Sequence, residues 1–111
     1  MPKRSVDYRG SLLDDLRDPG EAAQYLNAAL EDSPEMLLVA LRDVAEAQKM
    51  TKVASDAGVS RESLYRMLCE KGNPTYKSFV AILRAVGLQF SIKSPGVSPG
   101  LERAAPLKKV R

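Results

Sequence analysis

The sequence predicts an all-α domain organised around two short helices joined by a glycine turn. Three observations predict it. Apolar residues recur at three- and four-residue intervals through most of the chain, as they do on one face of a helix. Helix starts are written out at Asp18-Pro19, Ser33-Pro34, Ser60 and Thr75, where a short oxygen-bearing side chain can accept an otherwise unpaired amide. The third is the stretch 50–69, MTKVASDAGVSRESLYRMLC. Thr51 is positioned to cap its first helix, and Val53, Ala54 and Ala57 line one face of that helix. Gly58 supplies the positive φ that a tight turn needs, Val59 plugs the turn, and Ser60 caps the second helix. Leu64, Met67 and Leu68 point inward, leaving Arg61, Glu62, Tyr65 and Arg66 outside. Small Ala54 lets the second helix cross close. This is the pattern of a DNA-binding helix-turn-helix.

The other elements follow in order. Residues before Tyr8 are polar and are expected to fray, and residues 11–16 to form a short turn of helix anchored by Leu12, Leu13 and Leu16. Asp18 caps the next helix, with Pro19 in its first position and Glu21 three residues after the cap. Its buried stripe is Ala22, Ala23, Leu26, Ala29 and Leu30, with Tyr25 at the edge. Ser33-Pro34-Glu35 opens a helix whose broad apolar face, Leu37, Leu38, Leu41, Val44 and Ala45, suits a central position; it breaks near Lys49. Beyond the 50–69 unit, Cys69 falls on the last turn of the second helix. Gly72 reads as a left-handed stop, and Asn73 is extended because proline follows. Thr75 caps a last helix with Phe79, Val80, Leu83 and Val86 inside, ended by Gly87. Residues 88–92 alternate apolar and polar, as a short strand does. That strand can pair with its copy in a second protomer, with a partner's sheet edge, or lie over the core. The expected regions are an N-terminal arm with a short helix (1–17), the helix-turn-helix domain (18–93) and a flexible basic tail (94–111).

Composition excludes several classes. With 111 residues the chain is one domain, long enough to bury a helical core without disulfides or metal. Histidine and tryptophan are absent, and the single cysteine, Cys69, has no partner for a disulfide and no fellow ligands for zinc. No nucleophile sits beside a plausible base and no metal or cofactor motif occurs, so the chain reads as non-enzymatic; Asp14, Asp15 and Asp18 read as a solvated face. The first ten residues lack an apolar segment, so neither export nor a membrane span is expected and a cytoplasmic location follows by default. The charge is uneven. Residues 1–50 hold six basic and ten acidic side chains, a net −4; residues 51–111 hold 11 and four, a net +7. The second half suits phosphates. The first is either a solvated acidic surface or the contact face for a basic partner.

The order of elements is similar to that of five-helix Cro/repressor-type (lambda-repressor-like) domains. The chain resembles more closely the bacterial addiction-module antidote proteins, antitoxins with such a DNA-binding domain. Carrying this resemblance are Leu12-Leu13-Asp14-Asp15-Leu16, Asp18-Pro19 with Glu21-Ala22, Tyr25-Leu26-Asn27-Ala28-Ala29-Leu30, Ala40-Leu41-Arg42-Asp43-Val44, Ser60-Arg61-Glu62-Ser63-Leu64-Tyr65-Arg66 and Gly72-Asn73-Pro74-Thr75. It covers residues 8–90 and leaves out the tail. Gln48-Lys49 departs from it, since the family usually places a glycine there. The resemblance implies a protein that neutralises a small RelE/HigB-like toxin encoded alongside it. It also implies repression of its own operon, usually as a homodimer.

The helix beginning at Ser60 is the one expected in the major groove. Arg61 and Arg66 are the candidate base readers, because a guanidinium can donate two bonds to guanine; contact to phosphate is the competing use. Glu62 can accept from cytosine or pair with Arg66 one turn later. Tyr65 can meet a thymine methyl or a phosphate, or pack on the domain edge. Thr51 and Lys52 begin the preceding helix, and Asn73, Thr75 and Lys77 the following one, so both are placed to hold phosphates, as is Ser60. One domain reads a half-site, so a symmetric dimer on a palindromic operator is expected. Two other readings stay open: a stand-alone phage or chromosomal repressor without a toxin, and a protein-binding helical module that never contacts DNA.

Overall fold

A computed structural model of the chain describes residues 2–95, with side chains from Arg9 onward. Over that span the protein is all-helical. Its helices are α1 (Pro2–Asp15), α2 (Pro19–Asp32), α3 (Pro34–Ala47), α4 (Met50–Ala57), α5 (Arg61–Met67) and α6 (Tyr76–Ala85). Six helices stand where five were expected, because the N-terminal arm is a full 14-residue helix rather than a single turn at 11–16. The reason lies far along the chain. Arg9 donates to Asp43 on α3 at 3.0 Å and also pairs with Glu46, while Leu12 and Leu13 pack on the core and Leu16 is buried. Tertiary contacts therefore hold a segment whose own sequence is a weak helix former.

Four helix starts are capped as the sequence reads. Asp18 Oδ2 accepts from the Glu21 amide at 3.0 Å and Ser33 Oγ from Met36 at 3.1 Å. Ser60 Oγ accepts from Ser63, and Thr75 Oγ1 from Ser78, both at 3.0 Å. Each such cap contributes on the order of 1 kcal/mol. The start of α4 differs. Lys49, not Thr51, occupies the cap position, with φ 77° and ψ 113°, and no side chain caps the helix. Thr51 lies exposed within the first turn. Such a backbone costs a lysine on the order of 1–3 kcal/mol and persists only where its surroundings impose it. Two bonds brace it here: Arg17 Nε donates to the Ala47 carbonyl at 3.3 Å, and Gln48 Nε2 to the Val86 carbonyl at 3.0 Å. Lys49→Gly is expected to stabilise the fold by about 1 kcal/mol, the relieved strain less the extra unfolded-state freedom of glycine. Chemical denaturation checks this; a variant less stable than the parent contradicts it.

α2 packs along α3, which also receives α1; α4 joins the two halves, packing on α3, α5 and α6. Leu16, Leu41, Val44, Val53, Leu64, Leu68, Ile82 and Val86 are the largest fully buried side chains. No polar or charged side chain is buried among the described residues. The predicted apolar faces hold in part: Ala23, Ala29, Leu37, Leu38, Ala57 and Met67 are half-buried rather than enclosed. Leu30, placed in the stripe of α2, is 46% exposed at its end, and Ile82 is fully buried where Phe79 and Val80 are only half-buried.

Three further expectations change. Gly72 does not take positive φ; among the described glycines that conformation belongs to Gly58 and Gly87. Gly72 is instead a close-approach position, since a Cβ there would stand 2.0 Å from the Met67 carbonyl oxygen. Cys69 lies past the end of α5, half-buried, with Sγ donating to the Arg66 carbonyl at 3.3 Å. Residues 88–92 form no strand among the described residues. The segment lies over the domain: Leu88 packs on the core, and the Phe90 ring meets Tyr76 and Phe79 edge-on at 6.2 and 5.9 Å. A strand needs a ladder partner, and none is present among the described residues; Leu88 and Phe90 find cover on the domain instead, while Ile92 stands 84% exposed. Most of the expected tail, from residue 96, lies outside the described residues. Among them, no helix is long and apolar enough to cross a membrane.

Candidate nucleic-acid interface

The site is built on α4, the Gly58 turn and α5. Gly58 takes φ 76° and ψ 29°, the left-handed conformation that ends α4 and turns the chain within two residues of the next cap. Val53 and Ala54 on α4 are buried, as is Leu64 on α5 and Leu68 just beyond it. The two helices thus share one apolar wedge. What remains on α5 faces solvent: Arg61, Glu62 and Arg66 are exposed, while Ser63 and Tyr65 are half-buried.

The polar groups of α5 are arranged along the helix. Ser60 Oγ donates to Ser63 Oγ at 3.0 Å while accepting the Ser63 amide. Arg66 Nη2 reaches Ser63 Oγ at 3.3 Å. The pairing of Glu62 with Arg66 is not among the ion pairs of the described residues; Arg66 turns to the serine instead, and the Glu62 carboxylate faces solvent. The Tyr65 ring lies under two guanidinium groups. Arg61 Cζ is 5.6 Å from its centroid and Arg42 Cζ, from α3, is 5.2 Å away.

The candidate phosphate holders lie on the flanking elements. Thr51 and Lys52 are exposed in the first turn of α4, and the Lys52 ammonium pairs with Asp56 one turn on at 2.8 Å. Asn73, Thr75 and Lys77 are exposed at the start of α6, where Thr75 is occupied as the cap. An open groove lined by Asp56, Lys77, Val80, Ala81, Arg84 and Ala85 places Lys77 and Arg84 beside the Lys52–Asp56 pair. Lys77 and Arg84 of α6 thus line one groove with Asp56, whose carboxylate is paired with Lys52.

Sequence reasoning missed Arg42. Its Nε lies 3.5 Å from Glu46 Oε2, and Glu46 and Asp43 both receive Arg9 from α1. Asp43 also accepts from the Tyr25 hydroxyl at 2.6 Å. The hydrogen bond to Asp43 is the main cause that raises the Arg9 pKa further above its ordinary value. The Arg42-to-Glu46 spacing was readable as a one-turn helical pair; the ring above α5 that Arg42 also covers was not.

Residues 10–94 match the family model described as "Probable addiction module antidote protein". The chain belongs to that family. The match begins inside α1 and takes in all of α2 to α6 together with the segment carrying Phe90. The chain is also similar to an uncharacterised protein of Haemophilus influenzae, 45% identical over 74 residues, which are 66% of this chain and 76% of that relative. No solved structure matches. An antidote role in general comes with the family.

Proposed function

We propose that the protein is a non-enzymatic antitoxin of a type II toxin–antitoxin system. It neutralises a RelE/HigB-like toxin encoded beside it and, as a homodimer, binds operator DNA to repress its own operon. The observation that carries the DNA half is a helix of seven residues with Leu64 fully buried on one side and Arg61, Glu62 and Arg66 exposed on the other. That is the division a groove-reading helix needs: one side fixes its angle, the other meets base edges. Arg61 and Arg66 read guanine, Glu62 accepts from cytosine, and Thr51, Lys52, Ser60, Asn73, Thr75 and Lys77 supply phosphate contacts. The toxin half rests on family membership and on the acidic first half of the chain. Asp14, Asp15, Asp18 and Glu21 are exposed around the α1–α2 turn, and Glu31, Asp32 and Glu35 around the α2–α3 turn beside exposed Leu30. Neither α1 nor α2 carries a basic residue in its last turn, so acid adds to the negative ends of both helix dipoles, a cost that a basic partner would offset.

A gel shift with the DNA upstream of the coding region tests the DNA half. Binding is expected to weaken steeply with salt. Arg66→Ala is expected to weaken it by on the order of 1–3 kcal/mol and to relax preference at one base pair. Absence of salt-dependent binding leaves the protein-binding module as the reading. Co-expression with the neighbouring gene product and pull-down tests the toxin half; without a captured partner the stand-alone repressor is left.

A further inference from the structure

The half-buried Tyr65 has an occupation that its place on the outer side of α5 does not reveal. On one side of its contacts stands Arg61, one turn earlier on the same helix, with its guanidinium 5.6 Å from the ring centroid. On the other stands Arg42, which belongs to α3 and lies 5.2 Å from the same centroid. Arg42 is itself fixed. Its Nε pairs with Glu46 at 3.5 Å, Glu46 pairs with Arg9 of α1, and Arg9 also holds Asp43, which accepts from Tyr25 of α2. A chain of contacts therefore runs from the first three helices through the ring to an arginine exposed to solvent.

We infer that Tyr65 is the positioning residue of Arg61: its ring, held against α3 by Arg42, holds the Arg61 guanidinium in place for base contact, and the tyrosine itself reads no base. This rests on the reading of α5 as the DNA-facing helix. The physical reason is entropic and electrostatic together. A free arginine on a surface helix loses several rotatable bonds when it docks on a base, whereas one already resting on an aromatic face has lost part of that freedom beforehand. The ring quadrupole attracts the cation without using its N–H donors, so the fork of the guanidinium remains available for two bonds to guanine. Tyr65 already packs against the core, and Arg42 adds a contact from α3 to the same ring.

The test uses the full chain and the upstream DNA, with the base pair at which Arg61→Ala loses discrimination identified first. Tyr65→Leu is expected to lower discrimination at that pair by roughly three- to tenfold, and Tyr65→Phe, which keeps the ring, to retain it. Arg42→Gln changes a side chain 42% exposed and leaves the core untouched; it is expected to reduce discrimination in the same direction as Tyr65→Leu. In the Arg61→Ala background, Tyr65→Leu is expected to change nothing further at that pair. Salt dependence should stay as in the parent in every variant, because no phosphate contact is removed. Unchanged discrimination in Tyr65→Leu, or loss in Tyr65→Phe, overturns the inference; the second outcome assigns the hydroxyl to DNA. If the parent chain binds its upstream DNA and these variants behave like it, only the positioning role falls. If the parent shows no salt-dependent binding, the DNA reading falls and takes this role with it.

Discussion

Alanine at position 72 is expected to destabilise the domain by about 2–3 kcal/mol and to lower its thermal midpoint by roughly 10–20 °C. The added Cβ would lie 2.0 Å from the Met67 carbonyl oxygen, 2.7 Å from its carbon and 3.0 Å from the Cys69 carbonyl oxygen. All three are backbone atoms, so no side chain can swing away to make room, and the loop must lift off the end of α5. The loop itself is tightened by the Gly72 amide, which donates to the Cys69 carbonyl at 2.8 Å. Gly10→Ala provides the contrast. It lies within α1 with nothing inside 4 Å of the added Cβ, and gains up to about 1 kcal/mol from helix propensity. Calorimetry on the two variants separates crowding from any general intolerance of alanine for glycine. Equal midpoints would show that the loop does not press on α5.

Leu64→Ala is expected to cost on the order of 2–5 kcal/mol, the range for a leucine removed from a packed interior. Leu64 is fully buried and is the one buried residue within the bounds of α5. A helix of seven residues is far shorter than the 12–15 or so that hold themselves together in water, so its order comes from packing. The loss should therefore be uneven. Amide exchange over residues 61–67 is expected to speed up more than over α3, whose buried residues Ala40, Leu41, Val44, Ala45 and Ala47 are untouched. If α5 reads DNA as proposed, binding is expected to fail at temperatures where the rest of the domain is still folded. Uniform loss of protection across α3 and α5 would show instead that the two-helix unit and the body melt as one.

What the sequence made legible was what four or five neighbouring residues decide among themselves. Asp18, Ser33, Ser60 and Thr75 each accept an amide three positions on, and the positive φ of Gly58 answers a turn only two residues long. What it concealed depends on groups far apart in the chain. α1 is held to the body by the packing of Leu12, Leu13 and Leu16 and by Arg9 partners 34 and 37 residues away. Lys49 adopts a conformation its own chemistry opposes because Arg17 and Gln48 fix the end of α3 from both sides. In the candidate interface the exposure of Arg61, Glu62 and Arg66 was readable from helical spacing, whereas the platform beneath Arg61 was not, since Arg42 reaches Tyr65 from another helix. The alternation at residues 88–92 misled because apolar periodicity does not say what covers each position: Leu88 has the core, Phe90 two aromatic rings, and Ile92 stays exposed. Gly72 misled in a related way, since a glycine near a helix end can serve either rotation or proximity.

The distribution of end-capping has a kinetic consequence. Four of the six boundaries are specified by an acceptor and a donor that meet without any distant part of the chain being in place, so nucleation of α2, α3, α5 and α6 closes only very small loops. A polypeptide so equipped begins its search for the native arrangement with most of its punctuation already set. Helical domains rich in local contacts fold in microseconds to milliseconds, and this one is expected to fold on that scale.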